Sequence, residues 1–225
     1  MTNLYAISDY IISSGIPRET LLFILSLPIV ATLATISRNV IGVKGFRIFI
    51  PIIVTYAFVA LGAKYALPAT AIVIVMSLLV RWLMRKSRLQ YSSRMALLIT
   101  LCGLAILGGL FAAKKLGIES AASVPFFPIL LLIAMGEEFV DVLLKQGPRS
   151  ATILYIETIL LAIIGYFMMT WEAYQTFILN WPIVIVVAII LVILIGRWTG
   201  LRLTEMFKFR DVAKAEADKE SEESK

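Results

Sequence analysis

One acidic residue lies inside a long apolar stretch of the chain, where a charged group is costly to keep. Glu157 stands in the stretch Ala151–Thr170, about one to two helical turns from its basic end. An ionised carboxylate at the centre of a membrane helix costs about 2.5–3.5 kcal/mol, and less nearer the end. The sequence leaves two uses open. Glu157 contacts a proton or a substrate, or it is a polar clamp that hydrogen-bonds Ser, Thr or Tyr side chains of a neighbouring helix.

Three more carboxylates, those of Glu137, Glu138 and Asp141, stand together just after another apolar stretch. Glu137 and Asp141 are four residues apart and share a helical face, whereas Glu138 points away from it. Such a group can bind a cation or pair with basic residues, and nothing else in the sequence has a metal-ligand spacing. We therefore predict ion pairs and no metal site. The candidate basic partners are Arg38, Arg88, Arg197 and Arg202.

Most catalytic chemistries are excluded by the residue types that the chain lacks. It has no histidine, and Cys102 is its single cysteine. Ser-His-Asp and Cys-His catalysis, Cys/His zinc sites, haem on a histidine and an intramolecular disulfide are therefore ruled out. The sequence predicts that the protein is not an enzyme and binds no cofactor. The remaining enzymatic alternative is general acid–base catalysis by Glu157 together with Glu137 or Glu138.

The composition places these carboxylates in an integral membrane protein. Of the 225 residues, 60% are hydrophobic and 16% are charged, and the mean hydropathy is +0.92. Soluble domains are about half apolar and about one quarter charged. The net charge of +6 does not indicate nucleic-acid binding, because the basic residues are spread between apolar blocks.

Seven apolar blocks predict an all-α, polytopic membrane helix bundle with seven transmembrane helices. A helix needs about 20 residues to cross the hydrocarbon core, and flanking Lys and Arg side chains extend the shorter blocks. The fifth block is the shortest and contains Pro125 and Pro128, so it is either a crossing helix or a re-entrant or buried segment. The blocks are Leu21–Ile36, Ile48–Ala63, Ala66–Val80, Met95–Ala113, Val124–Met135, Ala151–Thr170 and Trp181–Ile195.

The distribution of basic residues favours a crossing fifth block and predicts the orientation. With seven crossings and the N-terminus outside, 14 basic residues fall in cytoplasmic segments and 4 in outer segments. If the fifth block did not cross, 8 basic residues would lie on one side of the membrane and 10 on the other, without bias. The positive-inside rule therefore predicts an extracytoplasmic N-terminus and a cytoplasmic C-terminus in the cell (inner) membrane. The outer basic residues are Arg18, Lys64, Lys114 and Lys115.

The sequence divides into four regions. Residues 1–19 form a short extracytoplasmic lead-in, and residues 20–196 form the seven-helix domain. Residues 197–210 interleave apolar and basic side chains, which is typical of an amphipathic segment in the cytoplasmic interface. Residues 211–225 are acidic and nearly free of large apolar residues, which predicts a disordered tail.

Prolines and glycines within the blocks predict local features of the helices. Pro28 in the first block and Pro128 in the fifth free backbone carbonyls and predict kinks. Gly103, Gly108 and Gly109 predict that the fourth helix approaches a neighbour closely, because a glycine has no side chain to hold two backbones apart.

Several motifs together resemble one bacterial family. The most specific runs from Gly196 to Glu205 and reads Gly-Arg-Trp-Thr-Gly-Leu-Arg-Leu-Thr-Glu. Over about residues 14–210, the chain resembles the bacterial seven-transmembrane-helix module usually fused to an inactive transglutaminase-like domain. The other motifs are Gly15-Ile16-Pro17, Leu27-Pro28, Arg38-Asn39-Val40-Ile41-Gly42, Phe127-Pro128, Glu137-Glu138-Phe139, Trp171-Glu172 and Trp181-Pro182.

The resemblance implies a topology and partners, but no activity. In that family the transglutaminase-like domain precedes the helices and lies outside the cytoplasm, in agreement with the predicted orientation. Members are often encoded beside ATP-grasp ligases that resemble glutamate ligases, which implies a link to peptide or amino-acid conjugates. Only about 20 residues precede the first block here. A separate polypeptide therefore supplies the outer domain, or the chain was cut from a longer one, or the module works alone.

Two functions remain in competition. The preferred one is a non-enzymatic module in the lipid bilayer that anchors or couples a transglutaminase-like protein outside and an ATP-grasp ligase inside. The alternative is a small transporter or flippase for a peptide or amino-acid conjugate, which Glu157 and the two prolines motivate. No internal repeat supports the transporter. The candidate functional or structural polar residues are Glu157, Glu137, Glu138, Arg197, Arg202, Glu205 and Arg38.

Overall fold

A computed structural model of the chain is 90% helical and has no strand within the residues that it describes. The described residues are 13, 15, 17–43, 45–84, 91–115, 117, 125–181 and 183–197. A π-helical turn, Ser37–Ile41, continues the first helix. The helices are α1 (Arg18–Ile36), α2 (Phe49–Leu61), α3 (Ala63–Met84), α4 (Tyr91–Lys115), α5 (Phe126–Lys145), α6 (Pro148–Thr170), α7 (Glu172–Asn180) and α8 (Val184–Gly196).

Each predicted apolar block coincides with a helix, so the all-α prediction is confirmed for the described residues. Helix α7 was not predicted, because it lies between the sixth and seventh blocks. Within the part of the chain that the structure describes, four helices are long and apolar enough to cross a membrane alone, namely α1, α3, α4 and α6. The bent pair α7 and α8 adds a fifth candidate. Helix α2 has 13 residues and is about 20 Å long.

The chain divides into two compact units. The central unit is Gly45–Gln175, and the terminal unit combines Met1–Lys44 with Thr176–Lys225. In the terminal unit α1 packs against α8. There the Thr32 hydroxyl donates to the carbonyl oxygen of Pro28 at 2.7 Å and lies 3.4 Å from the carbonyl oxygen of Ala188.

The central unit is built on α2 and α5, which pack against each other. Helix α2 also packs against α6, and α5 packs against α3 and α4. Its core includes Val54 and Phe58 of α2 and Leu132 and Met135 of α5, all of them fully buried. The faces that point away from this core are apolar too, with exposed side chains such as Phe111. Apolar outer faces are expected where lipid, rather than water, surrounds the helices.

Two glycines in the central unit lie at close helix contacts. A Cβ atom at Gly165 of α6 would lie 2.6 Å from Cγ2 and 2.8 Å from Oγ1 of Thr55 on α2. A Cβ atom at Gly136 of α5 would lie 2.5 Å from Cγ1 of Val73 and 3.0 Å from Oγ of Ser77 on α3. A side chain at either glycine would therefore force packed atoms of the neighbouring helix to shift.

The glycines that the sequence singled out do not make these contacts. Nothing lies within 4 Å of a Cβ atom placed at Gly103 or Gly108, so the prediction is wrong for both. At Gly109 the nearest atom is Cδ1 of Ile72 at 3.4 Å, an ordinary van der Waals contact. Gly103 and Gly108 face outward because α4 packs through its other side, where Leu98 and Cys102 are buried.

The two prolines predicted to kink helices differ in position. Pro28 lies inside α1, where it removes one helical hydrogen bond. Pro128 lies in the first turn of α5, whose N-cap is Pro125. Pro128 removes no hydrogen bond within α5, because the first four N–H groups of a helix have no partner within the helix in any case. The kink at Pro128 stays a prediction. Pro68, which lies inside α3, was not singled out.

Helices α2 to α5 run alternately in opposite directions through the central unit. The residues before α2, at the start of α4 and at the end of α5 meet in ion pairs at one end of the unit. Leu61 at the end of α2, Ala113 near the end of α4 and Ile129 near the start of α5 line one cavity at the other end. Helix α5 therefore runs from the cavity end to the ion-pair end.

Parts of the predicted domain organisation lie outside the described residues. These are most of the lead-in, the interfacial segment beyond Arg197, which includes Arg202 and Glu205, and the acidic tail.

Candidate functional site

Residues 45–47, here called the anchored segment, are attached to α6 by two hydrogen bonds. The backbone N–H of Gly45 donates to Oε2 of Glu157 at 2.7 Å. The backbone N–H of Phe46 donates to Oγ1 of Thr158 at 3.0 Å, and this hydroxyl donates in turn to the carbonyl oxygen of Leu154 at 2.7 Å. Adjacent polar side chains on one helix thus accept from adjacent backbone N–H groups of the segment.

The backbone conformation of Gly45 makes this arrangement possible. Its φ is +45°, a left-handed conformation that other residues adopt only with strain. A Cβ atom at Gly45 would lie 3.5 Å from Oγ1 of Thr158, which is ordinary contact. Gly45 is therefore needed for its backbone angle and not for a lack of space.

An aromatic side chain attaches the same segment to α5. Phe46 is only 3% exposed, and its ring lies edge-on to that of Phe139, with the centroids 6.5 Å apart. Phe139 lies edge-on in turn to Tyr155 of α6, with the centroids 6.1 Å apart. Such edge-to-face pairs add about 0.5–1.5 kcal/mol beyond the burial of their surface. The segment is thus held by its backbone on α6 and by its side chain on α5.

A charge cluster lies next to the anchored segment, made of Arg47, Arg94, Glu137, Glu138, Asp141 and Lys145. Nε of Arg47 lies 3.2 Å from Oε1 of Glu138. Asp141 lies between two cations, with Nη2 of Arg94 at 3.7 Å and Nζ of Lys145 at 2.7 Å. The cluster therefore joins the chain before α2, the start of α4 and the end of α5.

The carboxylates of the charge cluster are shielded from solvent more than most surface ion pairs. The side chains of Glu138 and Asp141 are 16% and 20% exposed, and Arg94 is 13% exposed. Partial burial raises the pKa of Glu138, which lies beyond the apolar part of α5, and the Arg47 guanidinium offsets part of the rise. The ion pair with Arg47 thus offsets part of the desolvation cost of the Glu138 carboxylate.

A polar cavity of about 430 Å³ opens between these charged groups. Glu137, Glu138 and Asp141 all line it, although helical geometry placed Glu138 on another face. Among the described residues, no three carboxylate or thiol groups are arranged to hold a metal ion. The charged side chains of this site therefore form ion pairs, and the polar side chains of α6 hold the backbone of the anchored segment in position.

The structure places the candidate residues at different sites in the fold. Glu157 is half-buried and accepts from a backbone N–H group, and the carboxylates of α5 lie in the charge cluster. Arg38, in the π-helical turn, and Arg197, just after α8, are exposed side chains of the terminal unit. Arg202, Glu205 and Arg88 lie outside the described residues.

Sequence reasoning missed the partners of these carboxylates. The basic residues that pair with Glu138 and Asp141 are Arg47, Arg94 and Lys145, none of which was named as a partner. The Lys145–Asp141 pair carries a sequence signal, because its members are four residues apart on one helix. The partner of Glu157 carries none, since every residue except proline has a backbone N–H group.

Comparison with known proteins gives one match. A family model described as seven transmembrane helices usually fused to an inactive transglutaminase matches residues 13–213. That range contains every motif through which the sequence resembles such a module. No curated protein and no solved structure matches the chain.

Proposed function

The chain belongs to the family of seven transmembrane helices usually fused to an inactive transglutaminase, and from this premise we propose that it is a non-enzymatic coupling module. It is a multi-pass membrane protein. In the proposed role its helices hold a transglutaminase-like domain on the outer face and contact a ligase-like enzyme of the ATP-grasp class on the cytoplasmic face. The observation that carries the proposal is the family match over nearly the whole chain.

The charge cluster supports the alternating helix crossings on which this proposal depends. Arg47, Arg94 and Lys145 come from three separate segments, and the seven-crossing arrangement with the N-terminus outside puts all three in the cytoplasm. These same segments meet in ion pairs. Helix α5 also runs from the opposite end of the central unit to this cluster, as a crossing fifth helix requires. The orientation itself is supported by the 14 to 4 split of basic residues, which favours this end on the cytoplasmic side.

The hydrogen bond of Glu157 favours the coupling role over a transporter. A proton or substrate carrier must exchange its partner during each cycle, whereas Glu157 accepts from a backbone N–H group of a segment that three further contacts hold in place. The anchored segment keeps the start of α2 on α5 and α6. Because the start of α2 is held in one position, the surface that this end of the central unit offers to a partner protein does not change.

Labelling of single cysteines tests the number of crossings. We expect Lys115→Cys, at the end of α4, to react with a membrane-impermeant thiol reagent added outside intact cells. Arg149→Cys, in the first turn of α6, should react only after the cells are opened. The native Cys102 is buried and gives the background level. Labelling of both positions from the same side would show that α5 does not cross, and would contradict the seven-crossing arrangement.

Crosslinking in native cells tests the coupling role itself. We expect mass spectrometry to identify a transglutaminase-like protein or domain and an ATP-grasp ligase with the wild-type chain. Replacing the family-motif residues, Arg197→Ala with Arg202→Ala, should lower recovery of the ligase about tenfold, because arginines often dominate a contact surface. The transglutaminase-like partner should be recovered unchanged.

The matched control for this experiment is Arg149→Ala, which removes an exposed arginine predicted on the same side of the membrane. It should leave both recoveries at the wild-type level. Unchanged ligase recovery with the Arg197 and Arg202 double variant, at normal membrane insertion, would contradict the proposed cytoplasmic contact. If neither partner is recovered with the wild type, the coupling role is wrong.

A further inference from the structure

An apolar cavity of about 280 Å³ opens at the side of the central unit, at the end opposite the charge cluster. Most of its wall is supplied by Leu61 of α2, Tyr65 and Ile72 of α3, Ile106 and Leu110 of α4, and Ile129 of α5. The volume is near the lower limit of about 300–1,000 Å³ for ligand pockets. It suits part of an elongated molecule better than a whole drug-sized one.

Small residues on two facing helices create this space. Ala69 of α3 and Gly109 and Ala113 of α4 all line the cavity. At Gly109 the nearest atom to a Cβ position is Cδ1 of Ile72, at 3.4 Å, so a side chain of α3 reaches across to the glycine of α4 there. The cavity is therefore a gap between packed helices that side chains of this chain do not fill.

One charged group stands at the cavity, and it is a cation. Lys64 is exposed and contributes to the lining, with Nζ 5.9 Å from the centroid of the Tyr65 ring. No carboxylate is present among the described residues that line the cavity. Lys114 and Lys115 follow Ala113 at the end of α4 and add positive charge to the same end of the helix. An apolar cavity with a cationic rim is complementary to an amphiphile with a negative head.

We propose that this cavity binds one acyl chain of an anionic membrane lipid, whose phosphate lies against Lys64. A peptide segment would bring backbone polar groups that the apolar wall cannot hydrogen-bond. An acyl chain has no such groups, and the bilayer supplies it at high concentration. The ammonium group of Lys64 and the ring of Tyr65 are side chains that lie at the level of lipid headgroups. The proposal rests on the membrane placement of the helices and not on the coupling role.

Native mass spectrometry with two lipids tests this site. The purified full-length chain is titrated with phosphatidylglycerol and, separately, with phosphatidylcholine of the same acyl chains. We expect one phosphatidylglycerol to be retained per chain, with an affinity about fivefold higher than that for phosphatidylcholine, because one lysine near an anionic headgroup contributes that factor. Lys64→Gln should remove this preference and leave phosphatidylcholine binding unchanged. The equivalent change Lys115→Gln should keep most of the preference.

Filling the cavity tests the acyl-chain part of the proposal. Ala113→Phe should abolish retention of both lipids, whereas Ala112→Phe, on the exposed neighbour outside the cavity, should bind as the wild type does. Gly109→Ala is a milder filling variant and should weaken retention without loss of thermal stability. Equal affinity of the wild type for the two lipids, or retention by Ala113→Phe at the wild-type level, would overturn the assignment. So would equal losses of preference in Lys64→Gln and Lys115→Gln, which would indicate surface charge alone.

Discussion

Replacing Gly165 by alanine is expected to destabilise the central unit by about 1–3 kcal/mol, even though the change adds a single methyl group. The new Cβ atom would lie 2.6 Å and 2.8 Å from two side-chain atoms of Thr55 and 3.3 Å from its Cβ atom. Thr55 is only 1% exposed, and its hydroxyl donates to the carbonyl oxygen of Pro51 at 2.8 Å. The threonine therefore cannot rotate away cheaply, and α2 must move off α6.

Reversible unfolding in mixed micelles with a denaturing detergent measures this effect. The matched control is Gly103→Ala on α4, where nothing lies within 4 Å of the added atom. We expect the control to be neutral or slightly stabilising, because alanine favours a helix over glycine by about 1 kcal/mol. A stability change of the same size and sign in both variants would show that Gly165 does not mark a close contact.

A second substitution separates the clash from other effects of Gly165→Ala. In the double variant with Thr55→Ala, the two nearest atoms are removed and only the contact with Cβ at 3.3 Å is left. We expect the double variant to recover more than half of the lost stability, which is a coupling energy of about 1 kcal/mol between the two positions. Additive losses would contradict a direct contact.

The glycines illustrate why helix positions are easier to predict from sequence than helix contacts. Hydropathy locates each block because crossing the bilayer requires about 20 apolar residues, whatever the partners are. It does not tell which side of a helix meets a neighbour. Gly103 and Gly108 have the same sequence signal as Gly165, yet they face open space. The difference arises from the arrangement of α2 on α6, which no single helix encodes.

Helix α5 shows a second limit of hydropathy. The fifth block ends at Met135, but the helix continues to Lys145 because ion pairs to Arg47 and Arg94 and the burial of Phe139, Val142 and Leu143 stabilise its charged end. The charges in this part lower the hydropathy without interrupting the helix. The prediction of a crossing fifth block thus came from the distribution of basic residues and not from block length.

For the carboxylate of Glu157, the need for a partner can be predicted from sequence, whereas the identity of the partner cannot. That Glu157 needs a partner follows from its place in an apolar stretch. One of the two uses left open was a clamp to a Ser, Thr or Tyr side chain, but the donor in the structure is the backbone N–H group of Gly45, which lies 112 positions away in the chain.

Removing the carboxylate of Glu157 is the second change with a large expected effect. Glu157→Ala should destabilise the chain by about 1.5–3 kcal/mol, because the Gly45 N–H group loses a charge-assisted hydrogen bond and keeps no acceptor at that place. Glu157→Gln should cost less, since the amide oxygen can still accept. Unfolding in mixed micelles measures the free energies, and backbone hydrogen exchange at Gly45 and Phe46 reports whether the anchored segment opens locally.

The two readouts together distinguish a clamp from a carrier. A clamp predicts faster exchange at Gly45 in Glu157→Ala, an intermediate rate in Glu157→Gln, and the wild-type rate in Glu19→Gln, which changes an exposed carboxylate at the start of α1. A proton carrier predicts unchanged exchange in Glu157→Gln, together with loss of pH-dependent uptake of a peptide conjugate in proteoliposomes. Because amide exchange is measured at the donor atom itself, wild-type exchange at Gly45 in Glu157→Ala would exclude the clamp even if the variant were less stable overall.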